Sequence, residues 1–500
     1  MENITNQFIK AMSHNNSKTF NDMPTNDSSL NPIIDLFFLI GATRTMSESD
    51  IISIFNKAYQ INPVYSLRIL YYARDIEKGL GERRVFRVIM SWLISHKLAL
   101  KSLLQAENII QNIIRVDDLV YLANELIKTN SLNNKNTANQ IIKFLFKMLD
   151  DKNVQNIVAK WMPRKNSQYG ALVRYMRSNG FINSYSEYRH KIVSLTDVVE
   201  QKMSANEWNK INLEHVPSIA MKKYKKAFKR HEILEPYIAK VVTGEAKINA
   251  SKLFPYDIIK EIIHNICNWN QTTIDKTNRD LLNEQWKNLA KLDQLPKEYR
   301  AIPVIDVSGS MIMGDGLPIS IALGLGFYMA ENNPNENFKD AFITFSDRPK
   351  FQMIFGHDIV AKVENTLKAD WAGSTNLEAV FKLILSTAVN KNIPENDMPT
   401  HIIIISDMEF NQCIQMPNDN VFEMITRMYY EAGYEIPKII FWNVNGRIGN
   451  IPVQVGDKNA LLVSGASQNV INFIMKKGYE DMMQLVIEVV ENPRYQHIKK

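Results

Sequence analysis

Apolar residues in the first three-fifths of the chain recur every three or four positions, the spacing of a helix with one buried face. The pattern predicts helices over 51–59, 64–76, 84–95, 119–128, 138–149 and 154–161, with helical character running from Asn31 to about Asn183. Short polar or glycine-bearing connectors separate them, such as Glu77-Lys78-Gly79-Leu80-Gly81 and 129–136. Gly79 or Gly81 suits the left-handed residue that ends a helix, and Glu82 suits the first turn of the next. Further helices are expected over 185–203, 221–231, 256–268 and 281–291. Many helices with brief turns point to stacked pairs in a solenoid or ring-like array, without a strict repeat length. Residues 1–30, rich in Asn, Ser and Thr, read as a flexible polar arm.

After Asp293-Gln294-Leu295-Pro296 the period changes. Apolar strands are expected over 301–306, 338–345, 401–406, 437–442 and 460–463, alternating with helices over 318–330, 376–389, 421–432, 467–476 and 479–490. Such alternation builds a mostly parallel, Rossmann-like sheet covered on both faces, with ligands beyond the carboxyl ends of its strands. The expected organisation is therefore an arm over 1–30, a basic α-helical repeat module over 31–295 and an α/β domain over 296–500.

Composition narrows the class. The chain has 500 residues, 45% apolar and 22% charged, as soluble globular proteins do. No apolar run has the length of a bilayer span, and the polar N-terminus does not resemble a secretory signal. Cys267 and Cys413 stand far apart with no metal-binding or redox spacing, which argues against a disulfide framework. A soluble intracellular protein is expected, cytoplasmic, in the host cytoplasm if the source is viral. Charge is uneven: residues 1–300 carry 43 Lys and Arg against 30 Asp and Glu, whereas 301–500 carry 16 against 23. A basic half joined to an acidic half suits two tasks, one of them holding a polyanion, or two halves that dock on each other.

The acidic half contains the candidate chemistry. Asp306-Val307-Ser308-Gly309-Ser310 follows the first strand and alternates one carboxylate with two hydroxyls in a loop that Gly309 lets bend. Trp371-Ala372-Gly373-Ser374-Thr375-Asn376 offers a third hydroxyl, Thr375, and Asp407 leaves the strand 401–406 at the same sheet edge. Oxygen donors alone suit a hard divalent cation such as Mg²⁺. No histidine, cysteine or nearby general-base pair accompanies the site, as hydrolysis would need, so the protein is not expected to be an enzyme. His401 reads as structural, and Glu409 is an extra carboxylate without a role.

The densest positive run is Lys222-Lys223-Tyr224-Lys225-Lys226-Ala227-Phe228-Lys229-Arg230. On a helix Lys222, Lys225, Lys226 and Lys229 share one face while Tyr224 and Phe228 share another. Lys222, Lys223, Lys225, Lys226, Lys229 and Arg230 are the candidate phosphate contacts. Lys160-Trp161-Met162-Pro163-Arg164-Lys165 is a smaller cluster, and Arg83, Arg84 and Arg87 either join the positive surface or pair with Glu77 and Glu82.

The pattern Asp306-x-Ser308-x-Ser310 with distant Thr375 and Asp407 resembles the metal-ion-dependent adhesion site of von Willebrand factor A domains, over about 301–490. The resemblance implies that Ser308, Ser310 and Thr375 approach the metal, that Asp306 and Asp407 act directly or through water, and that an open coordination position takes a carboxylate from a protein partner. A helical array followed by such a domain is similar to the TROVE architecture of Ro ribonucleoproteins. Arg74-Asp75-Ile76-Glu77-Lys78-Gly79-Leu80-Gly81-Glu82-Arg83, Ala159-Lys160-Trp161-Met162-Pro163, Val216-Pro217-Ser218 with the lysine-rich run, and Lys252-Leu253-Phe254-Pro255-Tyr256 resemble a family of plant and giant-virus proteins with this layout. These resemblances imply a non-enzymatic scaffold that binds structured or single-stranded RNA, with an A domain that uses Mg²⁺ for partner or intramolecular contact. The alternative is a metal-dependent protein–protein adaptor without nucleic acid. No membrane partner is expected.

Overall fold

β-Branched residues fill the short apolar runs of the C-terminal half, where an extended backbone buried on both sides accepts them well. The computed structural model describes residues 17–19, 21–96, 98, 113–129, 131–267, 274–291, 296–313, 315–345, 348–368, 376–411, 421–447, 450–454, 457–476 and 481–499. A two-residue antiparallel pair, β1 (Ser17–Lys18) and β2 (Pro24–Thr25), precedes the main sheet. That sheet contains β3 (Ala301–Asp306), β4 (Ala341–Phe345), β5 (Lys350–Met353), β6 (His401–Ser406), β7 (Lys438–Asn443) and β8 (Ala460–Ser464). Their spatial order is β5-β4-β3-β6-β7-β8, parallel except for β5, which runs antiparallel to β4. Strand order therefore reverses at β3, between β4 and β6, and the carboxyl ends of β3 and β6 flank the switch point.

The expected strands and their intervening helices are present, with ends moved by a few residues. β5 and the helix Ile359–Leu367 are additions. The helix Leu317–Glu331 lies close on the sheet because it carries two glycines. A Cβ on Gly326 would fall 2.3 Å from Ile305 Cδ1, and one on Gly324 would fall 2.7 Å from the backbone nitrogen of Tyr256, in the helix Pro255–Cys267. The latter helix thus packs on Leu317–Glu331 backbone to backbone.

Two compact units emerge, and neither follows the boundaries expected from sequence. One comprises Met1–Met46, Pro217–Lys222 and Glu235–Val489; the other comprises Ser47–Val216, Lys223–Leu234 and Val490–Lys500. The expected flexible arm is a correction: its described part, from residue 17, is bound to the sheet unit. Thr19 Oγ1 donates to the Phe410 carbonyl at 2.6 Å, Asn21 Nδ2 donates to the Glu409 carbonyl at 2.9 Å, and Asn26 exchanges backbone hydrogen bonds with Ile451. Thr19, Asn21, Thr25 and Asn26, in the stretch read as flexible, donate their side chains to backbone carbonyls instead.

The second unit is helical, built largely from Glu48–Ile61, Pro63–Arg74, Arg83–Ser95, Val116–Lys128, Leu132–Leu149, Gln155–Trp161, Gly170–Ser178 and Tyr185–Ser194. Between the second and third of these helices the chain turns sharply. Gly81 takes φ +72°, and a Cβ on Gly79 would fall 1.9 Å from the Tyr72 carbonyl oxygen, so neither position tolerates a side chain. The C-terminal segment, expected with the α/β domain, completes this unit. Arg494 pairs with the buried Asp75 carboxylate, Tyr495 donates to it at 3.0 Å, and Arg68 binds Glu491 at 2.8 Å and the Gln496 carbonyl at 3.0 Å. Among the described residues no helix is long and apolar enough to cross a membrane.

Removing the cationic partner of a buried carboxylate costs about 3 kcal/mol or more. Arg494→Ala is accordingly expected to lower the urea midpoint of the full chain, with loss of helical signal leading. An unchanged midpoint would show that the C-terminal segment does not anchor the helices.

Candidate functional site

Parallel pairing of β3 with β6 sets Ile305 opposite Ile405, so the residues that follow leave the sheet side by side. Asp306 ends β3 with none of its surface exposed, and Asp407 follows β6 almost as deeply buried. Asp306 Oδ2 accepts from Ser406 Oγ at 2.5 Å, and Oδ1 accepts from the Ser308 backbone nitrogen at 2.9 Å. The Ser308 and Ser310 hydroxyls lie 3.1 Å apart, and the Ser310 hydroxyl faces Asp407. Asp407 Oδ1 accepts from the Glu409 backbone nitrogen at 3.3 Å, while its Oδ2 is buried with no hydrogen-bond partner among the described residues. Two carboxylates and two hydroxyls thus converge from two loops. Thr375 lies outside the described residues.

Electrostatics follow from that crowding. Burial, then the charge of Asp407, push the Asp306 carboxyl up to about 7, against the hydrogen bonds from Ser406 and Ser308. Asp407 is also raised, chiefly by burial. Hydrogen bonds from Ser310 and the Glu409 backbone oppose this, Glu409's charge adds to it, and Arg447 relieves it. Glu409, left without a role by sequence, binds Arg447 at 3.1 Å. Ser406, which sequence reasoning did not single out, caps Asp306; its place at the end of a buried strand was the available signal.

The donor set fits a hard divalent cation. All four described donors are oxygens, and the unpartnered Asp407 Oδ2 beside a second buried carboxylate is the arrangement a cation relieves. Among the described residues no group of three or more His, Cys, Asp or Glu side chains is placed to hold a metal, so any ion here relies on hydroxyl and water oxygens besides the two carboxylates. His401 stacks on Tyr299 at 4.0 Å, and burial lowers its pKa to about 3, as a packed neutral ring requires.

The basic run forms the helix Ser218–Arg230. Lys222 is half-buried and donates to the Asp257 carbonyl at 2.9 Å and its carboxylate at 3.2 Å, so it does not offer a phosphate contact in this arrangement. Tyr224 donates to Glu200 at 3.0 Å and Phe228 is buried, anchoring the opposite face. Lys223, Lys226, Lys229 and Arg230 are exposed, and Lys225 is half-buried. Arg87 pairs with Asp117 and Asp118 rather than with Glu77 or Glu82, and Arg83 also leans on Asp117.

A domain of unknown function, DUF2828, matches residues 19–116 and 147–295, and a second, DUF7788, matches residues 300–500. An uncharacterised protein of Acanthamoeba polyphaga mimivirus is 28% identical over 502 residues, covering 91% of this chain and 84% of its own length. The crystal structure of the Deinococcus radiodurans RO (RSR) protein aligns with 94% of this chain and all of its own, at 10% identity and a TM-score of 0.36.

Because the folded Asp306 holds a proton up to about pH 7 and the unfolded carboxyl releases it near 4, metal-free stability is expected to fall as pH rises across that window and to level above it. Each pH unit is worth about 1.4 kcal/mol, a ceiling of ~4 kcal/mol. Urea midpoints in chelator should show this slope, and Asp306→Asn should flatten it; a slope that persists in the variant would place the titration elsewhere.

Proposed function

We propose that this chain is a non-enzymatic RNA-binding scaffold that carries a divalent-cation site. The observation behind the cation is the buried carboxylate pair, Asp306 and Asp407, with an oxygen that no described residue satisfies. Asp306, Ser308, Ser310 and Asp407 would hold Mg²⁺ or another hard ion, with Thr375 as a further hydroxyl, as in the von Willebrand factor A domains that the motif resembles. A bound ion would neutralise both carboxylates and present a coordination position to an acidic oxygen from a partner protein or from this chain. This chain's own part is to hold the donors: Ser406 and the Ser308 amide orient Asp306, and Ser310 orients Asp407.

Support for RNA comes from the exposed cations Lys223, Lys226, Lys229 and Arg230 on a helix whose other face is anchored. Grouped like charges repel one another, and a polyanion relieves that repulsion while releasing its own counterions. The adaptor reading, without nucleic acid, is favoured by one observation: Lys222, a member of the same run, is already engaged by Asp257.

One experiment tests the cation site that both readings share, and a second separates the readings. Mg²⁺ should raise the melting temperature of the wild-type chain in a saturable way, and Asp407→Asn should lose that response while remaining folded; an equal response in the variant would remove the cation site from this edge. Replacing Lys223, Lys226, Lys229 and Arg230 together by Gln should weaken retention of RNA on a filter by tenfold or more. The logarithmic salt dependence should also shallow by about 3, at roughly 0.7 per phosphate contact on a single strand. Unchanged retention and slope would favour the adaptor.

A further inference from the structure

The helical unit contains a concentration of charge opposite in sign to that of Asp306 and Asp407. Arg74 ends the helix Pro63–Arg74, Arg83 and Arg87 open the helix Arg83–Ser95, and Arg115 immediately precedes Val116–Lys128. They gather around two neighbouring carboxylates, Asp117 and Asp118. Arg74 Nε donates to Asp118 Oδ2 at 2.7 Å, and Arg87 Nε donates to Asp118 Oδ1 at 2.7 Å. Arg87 Nη2 reaches Asp117 Oδ2 at 2.9 Å, Arg115 Nε reaches Asp117 Oδ1 at 3.0 Å, and Arg83 Nη1 stands 3.8 Å from Asp117 Oδ2.

Among the described residues, four guanidinium groups therefore face two carboxylates, an excess of two positive charges in a partly desolvated place. The most buried member shows the shortage directly: the Arg74 side chain is 2% exposed, and its Nη2 has no hydrogen-bond partner among the described residues. A buried charged donor left unmade is costly, and stable proteins rarely retain one without a use. Arg83 and Arg115 form the accessible rim, with side chains 49% and 35% exposed. Arg115 also lies over the Trp161 ring at 4.8 Å, and Lys160 over the same ring at 5.7 Å, adding cations to the same neighbourhood. The helix Arg83–Ser95 starts here with no side chain capping its first amides, so its positive end adds to the field. Burial and the other three arginines hold Arg83 below the usual guanidinium range, against the pull of Asp117.

We propose that Arg74, Arg83, Arg87 and Arg115 form a phosphate-binding site, with Asp117 and Asp118 holding the guanidinium forks in place. A tetrahedral oxyanion suits this cluster because it accepts several forked donors at once and cancels the residual charge. The site is separate from the lysine-rich helix, and it stands or falls independently of the RNA reading. Its phosphate comes either from a nucleic-acid strand or from a small phosphate compound.

The test uses the full chain. Inorganic phosphate, compared with chloride at equal ionic strength, should raise the wild-type melting temperature in a saturable way. Arg83→Gln with Arg115→Gln, two rim changes that leave the Arg87 pairs intact, should weaken that binding about tenfold or more. Arg83→Gln alone, the mildest change, should weaken it partially and covers the case in which the double variant misfolds. No saturable phosphate effect on the wild type, or an equal effect in a folded double variant, would overturn the proposal. Matched oligonucleotides with and without a terminal phosphate identify the source. If the double variant loses the preference for the phosphorylated strand, the ligand is an RNA end; if it loses only the inorganic phosphate response, the ligand is a small phosphate. Failure of the RNA reading appears separately, as unchanged retention in the Lys223, Lys226, Lys229 and Arg230 variant.

Discussion

Two carboxylates leave neighbouring parallel strands at the point where the strand order reverses, and the sheet buries both. Desolvating one charge costs several kcal/mol even after local relaxation, and a second like charge beside it makes the cost steeper. The surrounding chemistry answers this only in part. Ser406, the Ser308 amide and the Glu409 amide supply hydrogen bonds, and Arg447 supplies a distant positive charge. Asp407 Oδ2 remains unanswered. A proton or a cation must complete the site, and the raised Asp306 pKa is the protonated form of that statement.

The helical unit solves the reverse problem. Its arginines outnumber the aspartates that hold them, and Arg74 keeps a buried nitrogen without an acceptor. Both units therefore carry a frustrated charge cluster at a junction of secondary-structure ends, one acidic and one basic. This is the local form of the opposite charge bias between residues 1–300 and 301–500. Local strain against packing rules tends to be retained where a ligand relieves it.

Much of the sheet was legible in sequence because runs such as His401-Ile402-Ile403-Ile404-Ile405 are buried on both faces and end in a polar residue that can only lie at the edge. Asp306, Ser308, Ser310 and Asp407 followed from that, since strand direction fixes which end they occupy. What escaped was decided by partners distant in sequence. Lys222 looks available until Asp257, on another helix, is seen beside it; for Arg83 and Arg87 the sequence offered a free positive surface or nearby glutamates, whereas their carboxylates lie about thirty residues on. β5 was missed because an edge strand with mostly exposed residues has no apolar run to announce it. Residues 17–30 and the C-terminal segment were misassigned for a related reason: polar sequence says nothing about whether its hydrogen bonds go to water or to a backbone.

The most direct measurement is proton release on Mg²⁺ binding, obtained by calorimetry in buffers of different ionisation enthalpy. A cation that displaces the proton shared by buried carboxylates should release about one proton near pH 6 and almost none at pH 8.5. Binding without pH-dependent proton release, or no binding at either pH, would contradict a cation site built on Asp306 and Asp407.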